Sequence, residues 1–505
     1  MKRKIIRDSI YTYIEIEENV RDIIDSISFQ RLKNIKQLTI QHLYPSANHT
    51  RFEHSLGVMH LALQIFEKIK EQLLSNQEGN SSLYFNEYFL KDHLLYAALL
   101  HDVGHAPFSH VGEKLYERKE ILAEIKKEIW SIKNKYIISL NIFNSEKIAP
   151  HELMSCYVLI RNFIDKLIPF NFKPKGEKII LDLEFILRII CGSKYLSSDD
   201  PDINVRKIKN TIISIVNSET IDADKIDYLL RDNKIIGYIG PRLDVNRLIM
   251  SATVNSSEGL SFTTMGISAL QGLIDCRDIL YLWVFNHHTV VYTDYLYQKC
   301  FVQFTKLHKP GNEWMPRKNF FSPKAIADDN VSDIDVLFMM NKAYKLVEKD
   351  ATFSKYTSRL IDQFRNRQFL KPLWKTLNQY NDFLDKCGYK NEKEKKEVND
   401  YINNWKNRMR LVHSISNNLK IERGNLFIVK RENKFCEEIL EKLIITDNDI
   451  QKTLGKLLPT KDSKSKYQDT AFYVYCKKDQ IEYVKKELEY QLININRSQN
   501  YFNFY

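Results

Sequence analysis

The sequence predicts a mostly α-helical protein with a smaller mixed α/β lobe toward its C-terminal end, and three observations carry that prediction. Glycine and proline are sparse, at 15 and 12 residues in 505, which favours long helices over turn-rich sheet. Successive segments before residue 240 repeat apolar side chains at the helical period. Strand-like runs, "NLFIVKREN" and "TAFYVYCKKDQIEYVKKELEYQL", the second continuing as a helix, follow a boundary placed near 388–398.

Residues 19–40 place Ile23, Ile24, Ile27, Leu32, Ile35 and Leu38 on a helical apolar spacing. A loop with Pro45 follows, then amphipathic helices over 51–74 and 89–104, the second ended by Gly104 and Pro107. Residues 117–149 carry a charged helical pattern and a loop closed by Pro150. Further helices are expected over 151–164 and 216–237, the latter with Ser218 and Thr220 as candidate caps. The predicted organisation is a principal domain over 1–310, a helical extension over 311–390 and a mixed lobe over 391–505.

The formal charge of +11 is compatible with a polyanionic partner such as a nucleotide or nucleic acid. Stretches such as "NEKEKKE" (391–397) mix the signs, however, and no aromatic-basic motif accompanies the charge, so solubility is the simpler account. Cys156, Cys191, Cys276, Cys300, Cys387, Cys436 and Cys476 lie far apart without a CxxC pair, the pattern of reduced thiols. No run reaches the roughly 18 apolar residues of a membrane span, and the N-terminal stretch has no apolar signal core. A cytoplasmic protein is expected, with no membrane partner.

Chemistry concentrates near residue 100, where "AALLHDVGHAPFSHVGE" sets three histidines and an aspartate after an apolar run. Nine of the 13 histidines precede residue 152. His101 and Asp102 are consecutive, about 100° apart on a helix, and both can reach an ion at the helix edge. Histidine with carboxylate suits a divalent ion such as Mn, Fe, Mg, Ni or Zn. Two residues cannot fill its shell, and the further candidates are His54 in "RFEHS" and Asp224 in "DADKIDY". A single histidine at a helix end is more often a cap or a packed residue. Four polar groups converging from apolar helices need a cation to offset their desolvation.

The ordered motifs "FQRLKNIKQL", "RFEHSLGV", "HDVGHAPFSH", "HEL" and "DADKIDYLLRD" resemble the HD-domain metal-dependent phosphohydrolases. Specifically, they resemble the branch that hydrolyses deoxynucleoside triphosphates (dNTPs), over roughly residues 4–300. The fold this implies is a helical HD bundle with a metal site, the catalytic domain being the 1–310 segment. The resemblance implies metal ligation by His54, His101, Asp102 and Asp224, with release of deoxynucleoside and intact triphosphate after attack of a metal-held water on the α-phosphorus. His110 matches the general acid, His105 and His151 would surround the α-phosphate, and Glu152 would orient a histidine, a role open also to Glu113. Arg51, Lys225 and Tyr228 would hold phosphate oxygens, Gln37 and Asp232 would read the sugar 3′-hydroxyl, and Leu38 would crowd an added 2′-hydroxyl. Tyr292 would line the nucleoside pocket. Asp25, Gln30 and Lys33 match positions that bind an activating guanine nucleotide between subunits, which implies a homo-oligomer. A second ion, Mg, could accompany the substrate phosphates.

Several positions depart from the family pattern. Val284 stands where an arginine grips the γ-phosphate, with Arg277 as a candidate substitute. Asp294 replaces a histidine, Lys33 replaces an arginine and loses its bidentate fork, and the segment between His110 and His151 is long. Three functions therefore compete: a dNTP triphosphohydrolase acting on the nucleotide pool, including in defence against phage; an HD phosphohydrolase of another nucleotide or nucleic-acid phosphoester; and a non-catalytic nucleotide sensor.

Overall fold

A computed structural model describes residues 4–75, 86–167, 181–238, 243–255, 259–306, 320–349, 355–431, 437–447, 450–458 and 472–502. The protein is mostly helical, with small sheets. Two compact units alternate along the chain: residues 1–280, 316–338 and 436–461 form one, and 281–315, 339–435 and 462–505 the other. The three-part division at 310 and 390 follows composition and cuts across this alternation.

The first unit opens with a hairpin, β1 (Lys4–Asp8) and β2 (Thr12–Ile16), in which Asp8 pairs with Thr12. Short helices α1 (Arg21–Ile24) and α2 (Ile27–Gln30) follow, flanked by 3-10 turns. The helical spacing over 19–40 is therefore realised in pieces. Ser26 makes one break, donating its hydroxyl to Ile23 O (2.6 Å) and accepting from Phe29 N (3.4 Å) as the cap of α2.

The helices that build the centre come next: α3 (Arg51–Ser75), α4 (Glu87–Leu100), α5 (His110–Glu113), α6 (Arg118–Ile132), α7 (Pro150–Asn162), α8 (Leu183–Cys191), α9 (Ile203–Val216) and α10 (Ala223–Ile235). The second half of α4 is apolar all round because it is surrounded: every residue from Leu94 to Leu100 is fully buried, and α3, α8 and α9 pack against the helix. Each of the five buried leucines of α4 contributes about 1.5–3 kcal/mol of transfer free energy. The charged helix expected in 117–149 is α6, and Pro150 occupies the first position of α7. The cap of α10 is Asp222, not Ser218 or Thr220; its carboxylate accepts from Lys225 N (2.8 Å) and Ser218 N (2.9 Å).

A four-stranded sheet completes this unit in the order Ala252–Asn255, Gly259–Phe262, Ile444–Asp447, Ile450–Thr453. Its one parallel step pairs Phe262 with Ile445, so residues 436–461, expected in the C-terminal lobe, are built into the first unit. In the second unit Phe472–Cys476 is the central strand between Lys371–Pro372 and Leu426–Lys430, and the helix Ile481–Phe502 follows. These are the strand-like runs read from the sequence; Glu432, Asn433, Thr470 and Ala471 of those runs lie outside the described residues.

Candidate metal centre and histidine cluster

The first turn of α3, the chain just after α4 and the first turn of α10 meet at one point. His54 comes from α3, His101 and Asp102 from the turn after α4, and Asp224 from α10. One donor atom each from His54, His101 and Asp224 lies within 4.8 Å of the others. His54 Nε2 stands 3.0 Å from Asp224 Oδ1 and 3.5 Å from Asp102 Oδ2, and His101 Nε2 stands 3.5 Å from Asp102 Oδ1. A divalent ion with bonds of about 2.0–2.2 Å brings its donors to separations of about 3–4 Å.

The hydrogen bonds of the two imidazoles fit that ion. His54 Nδ1 lies 2.8 Å from Asp227 Oδ2, and His101 Nδ1 lies 2.8 Å from Ala98 O. Both acceptors hold a proton on Nδ1 and turn Nε2 toward the place an ion would fill, where its lone pair becomes available once the ion replaces a proton. Both Nε2 atoms are buried without a hydrogen-bond partner, and an orphaned buried acceptor costs stability unless something binds it. Burial disfavours charge on His54, yet Asp224 and Asp227 outweigh it and lift its pKa to about 10, so the place attracts positive charge. His54, His101, Asp102 and Asp224 thus form a donor set that could hold a metal ion.

A second cluster adjoins the first. His105 Nε2 is 3.3 Å from Asp102 Oδ1, and the His105 ring stacks on His151 at 4.2 Å. Glu113 bridges two histidines, one oxygen 2.8 Å from His110 Nδ1 and the other 2.8 Å from His151 Nδ1. Burial opposes charge on both partners, but the pair prevails: the Glu113 carboxyl sits far below its usual range, and His151 is held up at about 9. Burial drives His105 the other way, with Arg51 adding to the effect, so its pKa lies well below the ordinary value. The His110 side chain is 65% exposed, which leaves its free nitrogen open to a bound molecule.

The loop between these histidines is strained and clamped. Phe108 and Ser109 have φ of +60° and +50°, a region that non-glycine residues seldom occupy. Asp333 accepts from Phe108 N (2.6 Å) and Lys36 N (2.9 Å), while Ser109 Oγ donates to Lys36 O (2.5 Å) and accepts from Arg51 Nε (3.0 Å). Gly104 is required where it is, because a Cβ there would lie 2.2 Å from Ser155 N of α7.

Other predicted residues have these surroundings. Arg51 is buried, with Nη1 2.7 Å from Asp102 Oδ2, so it braces a candidate ligand. Lys225 Nζ donates to Ser218 O (2.7 Å) and Asp222 Oδ2 (2.5 Å). Glu152 does not orient a histidine through a hydrogen bond: its oxygens accept from Ala149 N (2.7 Å) at the start of α7 and from Asn217 Nδ2 (2.7 Å), and Glu113 makes the histidine contacts instead. Gln37 and Asp232 are buried, Leu38 and Tyr228 half-buried. Asp232 Oδ1 lies 2.7 Å from Nε2 of His49, a residue sequence reading passed over; Gln37 Oε1, His49 Nδ1 and Asp232 Oδ2 are all buried without a hydrogen bond. Tyr292 belongs to the second unit, where its buried hydroxyl donates to Gln363 Oε1 at 2.6 Å. Asp25 lies 3.3 Å from Lys4 Nζ, Gln30 Nε2 donates to Ile24 O (2.7 Å), and Lys33 Nζ sits 4.7 Å from the Phe52 ring centre.

The family model of the HD domain matches residues 51–167, the span that holds His54, His101, Asp102 and all of the second cluster. The chain carries an HD domain. Among relatives of this HD chain, an uncharacterized protein of Methanocaldococcus jannaschii is 31% identical over 304 residues, 59% of this chain and 49% of that protein. The deoxynucleoside triphosphate triphosphohydrolase SAMHD1 homolog of Dictyostelium discoideum is 27% identical over 63% of this chain and 53% of its own length. The deoxynucleoside triphosphate triphosphohydrolase SAMHD1 of Bos taurus is 30% identical over 50% and 38%. The chain aligns with about half the length of the curated relatives it matches. Two solved structures share the fold: a hypothetical protein from Aquifex aeolicus (TM-score 0.57, 20% identity, 96% of this chain and 100% of that one) and a phosphohydrolase from Bacteroides thetaiotaomicron (TM-score 0.60, 19%, 94% and 99%). Among the described residues, no helix of the HD chain is long and apolar enough to cross a membrane.

Proposed function

We propose that this HD protein hydrolyses deoxynucleoside triphosphates to deoxynucleoside and triphosphate. The observation that carries the reading is the pair of clusters sharing Asp102: a cation-attracting donor set on one side, and three histidines with Glu113 on the other. Relatives named as deoxynucleoside triphosphate triphosphohydrolases support the substrate class.

His54, His101, Asp102 and Asp224 would hold a divalent ion, which would supply a Lewis acid for a phosphate oxygen and a means of lowering the pKa of water. The protein's own residues do the rest. Arg51 keeps Asp102 ionised and pointed at the donor set. His151, held positive by Glu113, attracts the phosphate; His110 is oriented by the same carboxylate, and although desolvation lowers its pKa below the ordinary value, its protonated form delivers a proton from the outward nitrogen to the departing 5′-oxygen. Lys225 and Tyr228, both on α10, would hold phosphate oxygens. The buried Gln37 and Asp232 offer acceptors to the 3′-hydroxyl, and Leu38 crowds a ribose 2′-hydroxyl.

Incubation with Mn and each dNTP, followed by identification of the phosphate product, tests the proposal. Triphosphate supports it. Monophosphate or pyrophosphate supports the second reading, an HD phosphohydrolase of another phosphoester, which Val284 favours; binding without product supports a sensor. A role in nucleotide-pool control or phage defence, a homo-oligomer, and an activator at Asp25, Gln30 and Lys33 belong to the same proposal. Strictly hyperbolic kinetics with every dNTP and every mixture would remove the activator.

A further inference from the structure

We infer that the amino-terminal hairpin is part of the metal centre, with Asp8, Tyr11, Asp227 and Arg231 as positioning residues that fix the ring of His54. The inference rests on reading His54 as a metal ligand.

The connection is continuous and buried. His54 Nδ1 meets Asp227 Oδ2 at 2.8 Å. Asp227 also accepts from Arg231 through two bonds, Nε to Oδ2 (2.9 Å) and Nη2 to Oδ1 (3.0 Å), and from the Tyr11 hydroxyl at 2.7 Å. Arg231 Nη1 reaches Asp8 Oδ2 at 2.8 Å, and Asp8 Oδ1 closes the hairpin turn by accepting from Ile10 N (2.7 Å) and Tyr11 N (3.0 Å). The side chains of His54 and Asp227 are 0% exposed, and Arg231 is 1% exposed. Two elements more than 200 residues apart therefore share one hydrogen-bonded path that ends on a candidate ligand.

Two physical points separate this path from an ordinary buried ion pair. Asp8 and Asp227 bring two negative charges and Arg231 one positive, so a net negative charge stays beside the His54 ring and strengthens Nε2 as a donor to a cation. Space for the path is also reserved on α3. A Cβ on Gly57, three residues after His54, would lie 1.9 Å from Asp227 Oδ1 and 2.6 Å from Arg231 Nη2. With four bonds on its carboxylate, Asp227 has little freedom to turn, and neither has the ring it holds.

The test compares the full-length protein with Asp8→Asn and Tyr11→Phe variants, neither change falling on a metal ligand. Mn affinity is measured by calorimetry, the visible spectrum is recorded with Co bound, and metal-free thermal unfolding serves as the control for folding. The expected result is a loss of Mn affinity of about 10–100-fold for Asp8→Asn, a smaller loss for Tyr11→Phe and altered Co bands in both. If Asp8→Asn fails to fold, Tyr11→Phe decides. Unchanged affinity and spectrum in the folded variants would overturn the inference. A wild-type protein that binds neither Mn nor Co would overturn the metal-site reading itself.

Discussion

His151 stacks on His105 with ring centres 4.2 Å apart and planes 16° from parallel, and the two rings hold opposite protonation states. Glu113 keeps His151 charged, whereas burial and Arg51 keep His105 neutral. The stack therefore offers a phosphate one fixed positive charge without two cations in contact.

That charge has a defined pH window. The folded pKa of His151 is about 9, above its ordinary 6.5, so its contribution to folding stability is fully present below about 6.5 and is lost as pH rises through 9. Turnover should decline over the same upper limb. In Glu113→Gln the limb should move down toward 6.5. A kcat/KM profile from pH 6 to about 10 reads both outcomes, and an upper limb that stays in place in the variant would refute the assignment.

Proton donation by His110 predicts a dependence on the leaving group. His110→Gln should lower kcat for dNTPs by about 10²–10⁴-fold. The loss should shrink sharply for an α-phosphate ester whose leaving group is an acidic phenol, which departs without a proton. An equal loss on both substrates would assign His110 to binding instead.

The unpaired atoms of Gln37, His49 and Asp232 predict recognition of a hydroxyl. Discrimination between a dNTP and its 3′-deoxy analogue, measured as a ratio of kcat/KM, should narrow by about tenfold or more in Asp232→Ala. A parallel fall for both substrates would show that Asp232 serves folding alone.

Close packing at Gly104 predicts a stability effect distinct from chemistry. Gly104→Ala forces a methyl against the α7 backbone and should cost about 1–3 kcal/mol, with the strained loop displaced. Urea unfolding measures the cost. A variant of wild-type stability would mean that the loop and α7 separate freely.

The candidate ligands were legible because their chemistry is in residue type and order: His101–Asp102 follows an apolar helix, His54 and Asp224 open two others, and a cation would offset the desolvation of such a set. Their supports were not. Nothing local marks Asp333, which reaches Phe108 across 225 positions, or Asp8, whose partner is Arg231. Glu113 and Glu152 look equivalent as glutamates near histidines, and only the capping geometry of α7 shows that Glu152 is already engaged. Helical periodicity located α3, α4, α6, α7 and α10, but it could not reveal that 436–461 returns to the first unit, because one β-pairing decides that.

The placement of Asp333 also orders events during synthesis. The strained Phe108–Ser109 turn leaves the ribosome more than two hundred residues before the carboxylate that secures it. Lys36 and Arg51 are there to hold Ser109 from the start, but the Phe108 amide has no carboxylate until residue 333 emerges, so fragments ending before it should hold their histidines more loosely even where the helices around them have already packed.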